Sequence, residues 1–258
     1  MAGFNLDGIE RMMVFGAHPD DEIIGPGGSI HGHHERGGQV AVVTFTGGGT
    51  AAASPAAMDA MIEQRRREMK AADDILGVDT RYLLQVPSQQ VYGAVMGSVP
   101  VYDRDAPGNQ LTLHHKLIRL IREYQPDLIF THSPDNHRDH CGIALITSQS
   151  VFQASEAILD HLGEPHNASL VLHYSVEREL EGDYSSNLVL EIGQADLDAK
   201  MTAMETQVSQ TRGDYLQHFK DMMQGRALLW GAKHFGAGRY AEPFHVSGNT
   251  PIRIALGR

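Results

Sequence analysis

Short apolar runs alternate with helix-forming segments along most of this chain, and this alternation constrains its fold more than any other feature. Each run is continuously apolar, which is typical of strands that a sheet buries on both faces. The runs predict strands over residues 11–17, 39–46, 80–86, 127–132, 169–175 and 187–192, with a last extended segment at 240–246. This order fits an α/β fold in which helices cover both faces of a mostly parallel sheet.

The segments between these runs have helical character. They predict helices over residues 27–36, 55–76, 111–124, 141–162, 196–210 and 214–234. Gly77 ends the second helix and Pro126 closes the third. Residues 87–110 form a long stretch of a kind that is usually an active-site lid or a disordered excursion. No repeat or clear boundary interrupts the chain, so we expect a single domain over residues 1–258 with its core at about 11–246.

Composition and charge exclude several classes of function. The formal net charge of −11 argues against non-specific binding to nucleic acid or to an anionic membrane surface. No apolar stretch of about 18 residues is present, so we expect no transmembrane helix. The N-terminal residues lack the features of a signal peptide, and the single cysteine, Cys141, forms no internal disulfide. These features predict a cytoplasmic protein.

Two polar clusters follow the first and fourth predicted strands. AHPDDE ends the first strand, and THSPDNHRDH ends the fourth. Ligands of open α/β sheets bind at the carboxyl ends of the strands, where the strand order reverses. In the common doubly wound order, strands one and four are neighbours at that point. We therefore expect the two clusters to face each other.

These clusters contain the residue types of a metal site. His18 and Asp21 are three residues apart, and His137 and His140 share that spacing. One imidazole and one carboxylate from the first cluster, with one imidazole from the second, would give three ligands. Three protein ligands and an open position for water are the pattern of a catalytic zinc site. A carboxylate beside that water can act as a general base.

The combination of AHPDDE with HRDH resembles the PIG-L/LmbE-like family of zinc-dependent N-acetylglucosamine deacetylases. The resemblance continues in QRRREMKAADDILG, in the Gln-Pro-Asp before the fourth strand, and in KMTAMETQVSQ and YAEPF. It implies a Rossmann-like α/β fold, in agreement with the alternation of strands and helices. Two departures are Gln207, where the family often has histidine, and Thr46, where an aspartate usually precedes the glycines.

The resemblance implies a role for each residue of the first cluster. It implies that one Zn²⁺ binds to His18, Asp21 and His140, although the same ligand types also suit other divalent metals. Asp20 resembles the family's general base. The structural alternatives are a hydrogen-bonding cluster at the loop ends and, for Asp20, the N-cap of the following helix.

Three further residues have implied roles. His137 would stabilise or protonate the tetrahedral intermediate, and Asp139 would orient His137 or, alternatively, cap a helix. Arg65 would bind substrate. Because Arg65 and Glu68 both lie on the apolar stripe of their helix, an Arg–Glu pair within the helix is the structural alternative.

Together, these features predict a zinc hydrolase that removes an N-acetyl or other N-acyl group from an N-acetylglucosamine-type amino-sugar conjugate. The alternative is a metal-containing sugar-binding protein without turnover. A dinucleotide site is disfavoured because the Gly-x-Gly-x-x-Gly fingerprint is absent. Members of this family often form assemblies, which leaves a homo-oligomer open. The sequence does not identify the group joined to the sugar.

Overall fold

A single seven-stranded sheet organises the molecule. The computed structural model describes residue 6 and residues 8–97, 112–176, 179–180, 182–210 and 214–246, with the backbone alone at Tyr215. The strands are Arg11–Gly16 (β1), Gln39–Thr46 (β2), Thr80–Val86 (β3), Leu128–His132 (β4), Leu170–Tyr174 (β5), Leu188–Ile192 (β6) and Tyr240–Val246 (β7). Their order in the sheet is β3-β2-β1-β4-β5-β7-β6.

The first five strands are parallel, and the strand order reverses between β1 and β4. β1 pairs with β2 on one side and with β4 on the other, where Val14 lies opposite Phe130. β7 runs antiparallel to both β5 and β6. The prediction of a mostly parallel, Rossmann-like α/β sheet is therefore confirmed, and β1 and β4 are neighbours at the reversal as expected.

Helices cover both faces of this sheet. They are Asp21–Ile24 (α1), Gly27–Glu35 (α2), Met58–Leu76 (α3), Val91–Val95 (α4), Leu113–Tyr124 (α5), Arg138–Ser155 (α6), Gln194–Glu205 (α7) and Tyr215–His234 (α8). Buried side chains of α1, α2, α3, α7 and α8 pack on one face, and those of α4, α5 and α6 pack on the other.

Alternation along β1 explains why the predicted strands are continuously apolar. Met12 and Val14 point into the core on one face, while Met13 and Phe15 point into the core on the other. All four are fully buried. Full burial of such a side chain stabilises the fold by roughly 1.5–3 kcal/mol. A strand that is buried on both faces therefore has apolar residues at successive positions.

The helix predicted over 196–210 is observed at Gln194–Glu205, and two further segments differ more widely from the prediction. The predicted helix 141–162 begins earlier, at Arg138, because His137 is its N-cap and accepts a hydrogen bond from Asp139 N (3.2 Å). It ends earlier, at Ser155, because Glu156 is extended. The stretch 87–110 contains the short helix α4, and its residues from 98 onward lie outside the described residues.

A buried ionic cluster fixes α1 to the sheet. Arg81 of β3 donates to Glu22 (2.7 Å), to Asp73 of α3, and to Thr44 of β2 (2.5 Å). Glu22 is fully buried. Its carboxylate therefore holds the first turn of α1 against β2 and β3, which accounts for the third acid of AHPDDE as a structural residue.

A second buried pair connects two of the segments that carry the family resemblance. Lys200 of KMTAME donates to Glu242 of YAEPF (2.5 Å) and to the carbonyl of Gly25 (2.7 Å). Glu242 accepts from the backbone N–H of Gly28 (3.0 Å) and Ser29 (2.8 Å) at the start of α2. These two motifs thus fix the turn that follows α1.

Candidate metal centre and active site

The carboxyl ends of β1 and β4 bring the two polar clusters into contact. His18 lies two residues beyond β1, and Asp21 opens α1. His140 lies in the first turn of α6, just beyond β4. One oxygen of Asp21, Oδ2, lies 3.4 Å from His18 Nδ1 and 3.6 Å from His140 Nε2. Asp21 therefore lies beside both predicted imidazole ligands at the point where the strand order reverses.

Carboxylates contact the outer ring nitrogens of both imidazoles. His18 Nε2 lies 3.2 Å from Asp139 Oδ2, and His140 Nδ1 lies 2.6 Å from Asp135 Oδ2. Metal-binding histidines commonly donate their second N–H to a carboxylate, which fixes the tautomer and the orientation of the ring. This arrangement leaves His18 Nδ1 and His140 Nε2, the nitrogens that face Asp21, free to bind a cation.

His132, the last residue of β4, belongs to the cluster but was not predicted from the sequence. Its Nε2 lies 3.2 Å from Asp21 Oδ2, and its ring stacks on His140 with centroids 4.1 Å apart. The backbone N–H of Ala17 donates to the same nitrogen (3.0 Å). Burial, together with the charge of His140, lowers the pKa of His132 to about 4. His132 is therefore a neutral acceptor whose lone pair is already used.

The charge of the site favours a cation between the imidazoles. Burial works against a charged ring, but Asp21 and Asp139 outweigh it and raise the pKa of His18 to about 10. Burial also opposes protonation of His140, whose pKa is nonetheless raised by Asp21 and Asp135. The protein without a metal thus holds protons on ligands that must lose them to bind one, so metal and protons compete for the same nitrogens.

Asp21 is held in its charged form. Burial favours the neutral acid, but the imidazoles of His140 and His18, whose own pKa values are raised, outweigh it and keep the pKa of Asp21 well below its ordinary value. In the described part of the chain, two overlapping groups could hold a metal, namely His18, His137 and His140, and Asp21, His132 and His140. Both groups lie in this one cluster.

Asp20, the predicted base, pairs with Arg65, the predicted substrate-binding residue. Arg65 Nη2 lies 2.9 Å from Asp20 Oδ2 and donates to the carbonyl of Pro19 (2.5 Å). Burial raises the pKa of Asp20, and Arg65 opposes that rise. Gly48, with φ +66°, makes room for this guanidinium, because a Cβ there would lie 2.8 Å from Arg65 Cδ.

Arg65 and Glu68 do not pair within their helix, which was the structural alternative. Glu68 instead accepts from Ser209 N (2.8 Å) and Ser209 Oγ (2.5 Å). This contact fixes the turn Val208–Gln210 to α3. Gln207, at the position of the common family histidine, is fully buried, and its amide donates to Thr206 Oγ1 (3.0 Å).

Asp139, which the resemblance predicts to orient His137, directs its carboxylate elsewhere. The Asp139 carboxylate lies against His18 and accepts the backbone N–H groups of Gln89 (2.8 Å) and Val91 (3.0 Å). Only the backbone N–H of Asp139 reaches His137, at Nδ1. The carboxylate of Asp139 therefore holds the N-terminus of α4.

A cavity of about 260 Å³ opens onto this cluster, a volume just below the range for ligand pockets (about 300–1,000 Å³). Its lining includes His18, Asp20, Asp21, Arg65, His137 and His140. The remaining wall is formed by the segments after β2 and β5, by the Val208–Gln210 turn and by α8. Asp139 lies behind His18, so six of the seven predicted site residues line one cavity.

The fold and the site define an α/β protein of Rossmann-like architecture whose strand reversal carries a His/Asp cluster able to hold a metal ion. Within the described residues, no helix combines the length and apolar character needed to cross a bilayer. A model of the family described as PIG-L, GlcNAc-PI de-N-acetylase, matches residues 13–151, more than half of the chain. This chain therefore belongs to the PIG-L family.

Individual relatives are more distant. A 1D-myo-inositol 2-acetamido-2-deoxy-alpha-D-glucopyranoside deacetylase of Streptomyces griseus is 27% identical over 186 residues, which cover 65% of this chain and 56% of that protein. The chain spans about half the length of the curated relatives it matches.

Solved structures share the fold at low identity. An N,N'-diacetylchitobiose deacetylase from Pyrococcus horikoshii is similar with a TM-score of 0.75 and 20% identity, over 93% of this chain and 85% of that one. GalB, a 4-carboxy-2-hydroxymuconate hydratase from Pseudomonas putida KT2440, is similar with a TM-score of 0.71 and 19% identity, over 92% and 96%. Because these proteins differ in activity, the fold alone does not decide the reaction.

Proposed function

We propose that this protein is a zinc-dependent N-deacetylase that hydrolyses the amide of an N-acetylglucosamine-type conjugate. The observation that carries the proposal is the convergence of His18 Nδ1, His140 Nε2 and Asp21 Oδ2 at the edge of a cavity that also contains Asp20. Membership of the PIG-L family and the activity named for the Streptomyces relative support the same reaction.

His18, Asp21 and His140 are the proposed metal ligands. Each imidazole has a carboxylate behind it and an available nitrogen in front, whereas the lone pair of His132 is engaged by the backbone of Ala17. Two imidazoles and one carboxylate are a donor set that suits zinc with an open coordination position. When bound, zinc supplies a Lewis acid that lowers the pKa of a water molecule and polarises an amide carbonyl.

Asp20 is the proposed base. It borders the cavity beside the ligand cluster. Burial raises its pKa, and the charge of Arg65 opposes that rise and so favours the deprotonated form that a base needs. Asp20 takes a proton from water as the oxygen of that water adds to the amide carbon. When the carbon–nitrogen bond breaks, the same proton passes to the leaving nitrogen, so that acetic acid and a neutral amine form. Proton transfer from the acid to the amine then gives acetate and an ammonium ion.

His137 is the proposed donor to the developing oxyanion. Burial and the neighbouring charges of His18 and His140 lower the pKa of His137, which favours its neutral form. Asp139 N–H donates to Nδ1, so the neutral ring carries its proton on Nε2. His137 borders the cavity, and a preorganised N–H aimed at the carbonyl oxygen stabilises the charge that forms there.

A binding protein without turnover has no need for a buried carboxylate beside the metal ligands, and the Arg65–Asp20 pair argues against that alternative. The test is acetate release by the zinc-loaded protein from N-acetylglucosaminyl-inositol, N,N'-diacetylchitobiose and free N-acetylglucosamine, with a hydratase substrate of the GalB type in parallel. Acetate from at least one amide is the expected result. A zinc-loaded protein that releases none, or that hydrates the GalB-type substrate instead, would contradict the proposal.

A further inference from the structure

The carboxylate of Asp139 connects a proposed metal ligand to residues 89–95, which contain α4 and are called the α4 segment below. Asp139 Oδ2 lies 3.2 Å from His18 Nε2 and also accepts the backbone N–H of Gln89 (2.8 Å). Asp139 Oδ1 accepts the backbone N–H of Val91 (3.0 Å). Because an ionised carboxylate only accepts hydrogen bonds, the His18 ring donates from Nε2. Asp139 is fully buried, so these three donors replace the water that its charge has lost.

The α4 segment packs closely on α6, the helix that carries the second polar cluster. Val91 and Ala94 are buried in the core that α4, α5 and α6 share. Gly142 of α6 makes room for the backbone of the segment, because a Cβ there would lie 2.9 Å from Tyr92 N. Glycine inside a helix is less favourable than alanine, so this position is best explained by the close approach. The segment is therefore docked by side-chain packing as well as by Asp139.

The backbone of Gln89 is strained at the point where it meets Asp139. Its φ is +70°, in the left-handed region that residues other than glycine rarely adopt. Such strain persists where the surrounding structure holds it in place. Here the hydrogen bonds from Gln89 and Val91 to the carboxylate hold the strained turn, so the conformation of the segment depends on the position of Asp139.

The same carboxylate sets the relative position of two proposed ligands. His18 follows β1, whereas His140 lies in α6, and their ring centroids are 5.4 Å apart. Asp139 precedes His140 in α6 and contacts the ring of His18 across the strand reversal. Partners of this kind behind a metal-binding imidazole fix the orientation of the ring and contribute to metal affinity.

We propose that the α4 segment is part of the metal centre, and that its docking on α6 and the binding of zinc strengthen each other through the carboxylate of Asp139. The inference rests on the proposed ligand set of His18, Asp21 and His140, and it adds an element that supplies no ligand. A docked segment keeps Oδ2 in place for His18. In return, a His18 ring that binds zinc through Nδ1 keeps its proton on Nε2 as the donor to Asp139. Coupling of this kind is reciprocal.

Amide hydrogen exchange tests the coupling in the wild-type protein. Exchange of the Gln89 and Val91 amides is measured without metal and at saturating zinc. We expect zinc to slow both amides at least about fivefold, the lower end of typical coupling between sites. The slowing is lost in Asp139→Asn at a zinc concentration that saturates the variant. It persists in the matched control Asp127→Asn, whose carboxylate also accepts two backbone N–H groups but lies at the opposite end of the sheet.

Zinc affinity, measured by competition with a chromophoric chelator, tests the reverse direction. We expect Asp139→Asn to raise the Kd for zinc about 10–100-fold. Ala94→Asp places an unpaired charge in the core and so displaces the α4 segment, and it should raise this Kd at least about fivefold. Met96→Asp adds the same charge to the exposed end of the segment and stays within about twofold of the wild type.

Three results would overturn the proposal. They are exchange at Gln89 and Val91 that zinc leaves unchanged in the wild type, wild-type zinc affinity in Asp139→Asn, and wild-type zinc affinity in Ala94→Asp while its α4 amides exchange rapidly. If Ala94→Asp does not fold, the wild-type exchange decides. None of these measurements uses substrate. Coupling in a protein that releases no acetate would therefore count against the proposed reaction alone, whereas acetate release without coupling would count against this inference alone.

Discussion

The guanidinium of Arg65 lies 2.9 Å from the carboxylate of Asp20, and both side chains are almost completely buried. Arg65, which the family resemblance predicts to bind substrate, directs its charge at Asp20 and at the carbonyl of Pro19. Burial alone would raise the pKa of Asp20 and neutralise it, and the adjacent cation opposes that effect. The pair therefore keeps a buried carboxylate able to accept a proton.

Removing the Arg65 charge should move the acidic limb of the pH–rate profile. The base works when deprotonated, and Arg65 stabilises that form, so Arg65→Met raises the pKa of Asp20 further. We expect the acidic limb of kcat/KM to move to higher pH, with a loss of about tenfold to a hundredfold near neutral pH. Arg66→Met, on the same helix but with its guanidinium near exposed Glu63, is the control. An acidic limb that stays in place or moves to lower pH would show that Arg65 does not act on the base.

Asp20→Asn separates the base from the metal ligands. The amide keeps the size of the side chain and a hydrogen-bond partner for Arg65 but cannot accept the proton from water. We expect the variant to bind zinc as the wild type does and to lose about 10²–10⁴-fold in kcat, the range for general-base catalysis. Zinc content and acetate release are measured on the same sample. Loss of zinc would instead make Asp20 a ligand, and full activity would remove it from the mechanism.

The buried Lys200–Glu242 pair should show strong coupling in a double-mutant cycle. Glu242→Gln leaves the Lys200 ammonium buried without its counter-charge, at a cost of about 3–5 kcal/mol in the free energy of unfolding. Lys200→Met in the same background removes that charge, so the double variant should be less destabilised than the sum of the single variants, by about 0.5–3 kcal/mol. Urea unfolding gives the free energy of unfolding of the wild type, the two single variants and the double variant. Additive effects would mean that the two residues stabilise the turn independently.

His33 of α2 should contribute a pH-dependent part of the stability. Burial lowers the pKa of this ring in the folded protein. The unfolded chain therefore binds a proton first as the pH falls, so the contribution of the neutral ring is complete above the ordinary pKa of about 6.5 and declines below it. We expect the free energy of unfolding to fall less between about pH 8 and pH 5.5 in His33→Asn than in the wild type. Equal falls would exclude His33 as a source of this dependence.

The fold could be predicted from the sequence because buried strands are rich in apolar residues, and this pattern is visible in each short segment. β2, β3 and β7 begin and end at the predicted residues, because runs rich in apolar and aromatic residues between turn-forming residues favour strands. Helix ends were less accurate. The start of α6 depends on His137 acting as N-cap, and α4 forms where its N-terminal segment contacts Asp139, and neither contact has a local signature.

The pairing of side chains within the site could not be read from the sequence. Spacing placed His18 and His140 at the same edge of the sheet, but it could not show that Asp139 supports His18 across 121 positions of the chain. His132 was missed because a strand-end histidine looks like any core residue until its partners are known. Its position at the end of β4, beside the predicted cluster, was the available signal.

Zinc dependence of acetate release tests the central claim most directly. Metal-depleted protein is titrated with zinc, and the initial rate of acetate release from an N-acetylglucosamine conjugate is followed against the zinc bound. The site predicts no release without metal, a linear rise, and a plateau at one zinc per chain that is lost in His140→Ala. Metal-depleted protein that hydrolyses the amide at the full rate, or zinc-saturated protein that releases no acetate, would contradict the assignment.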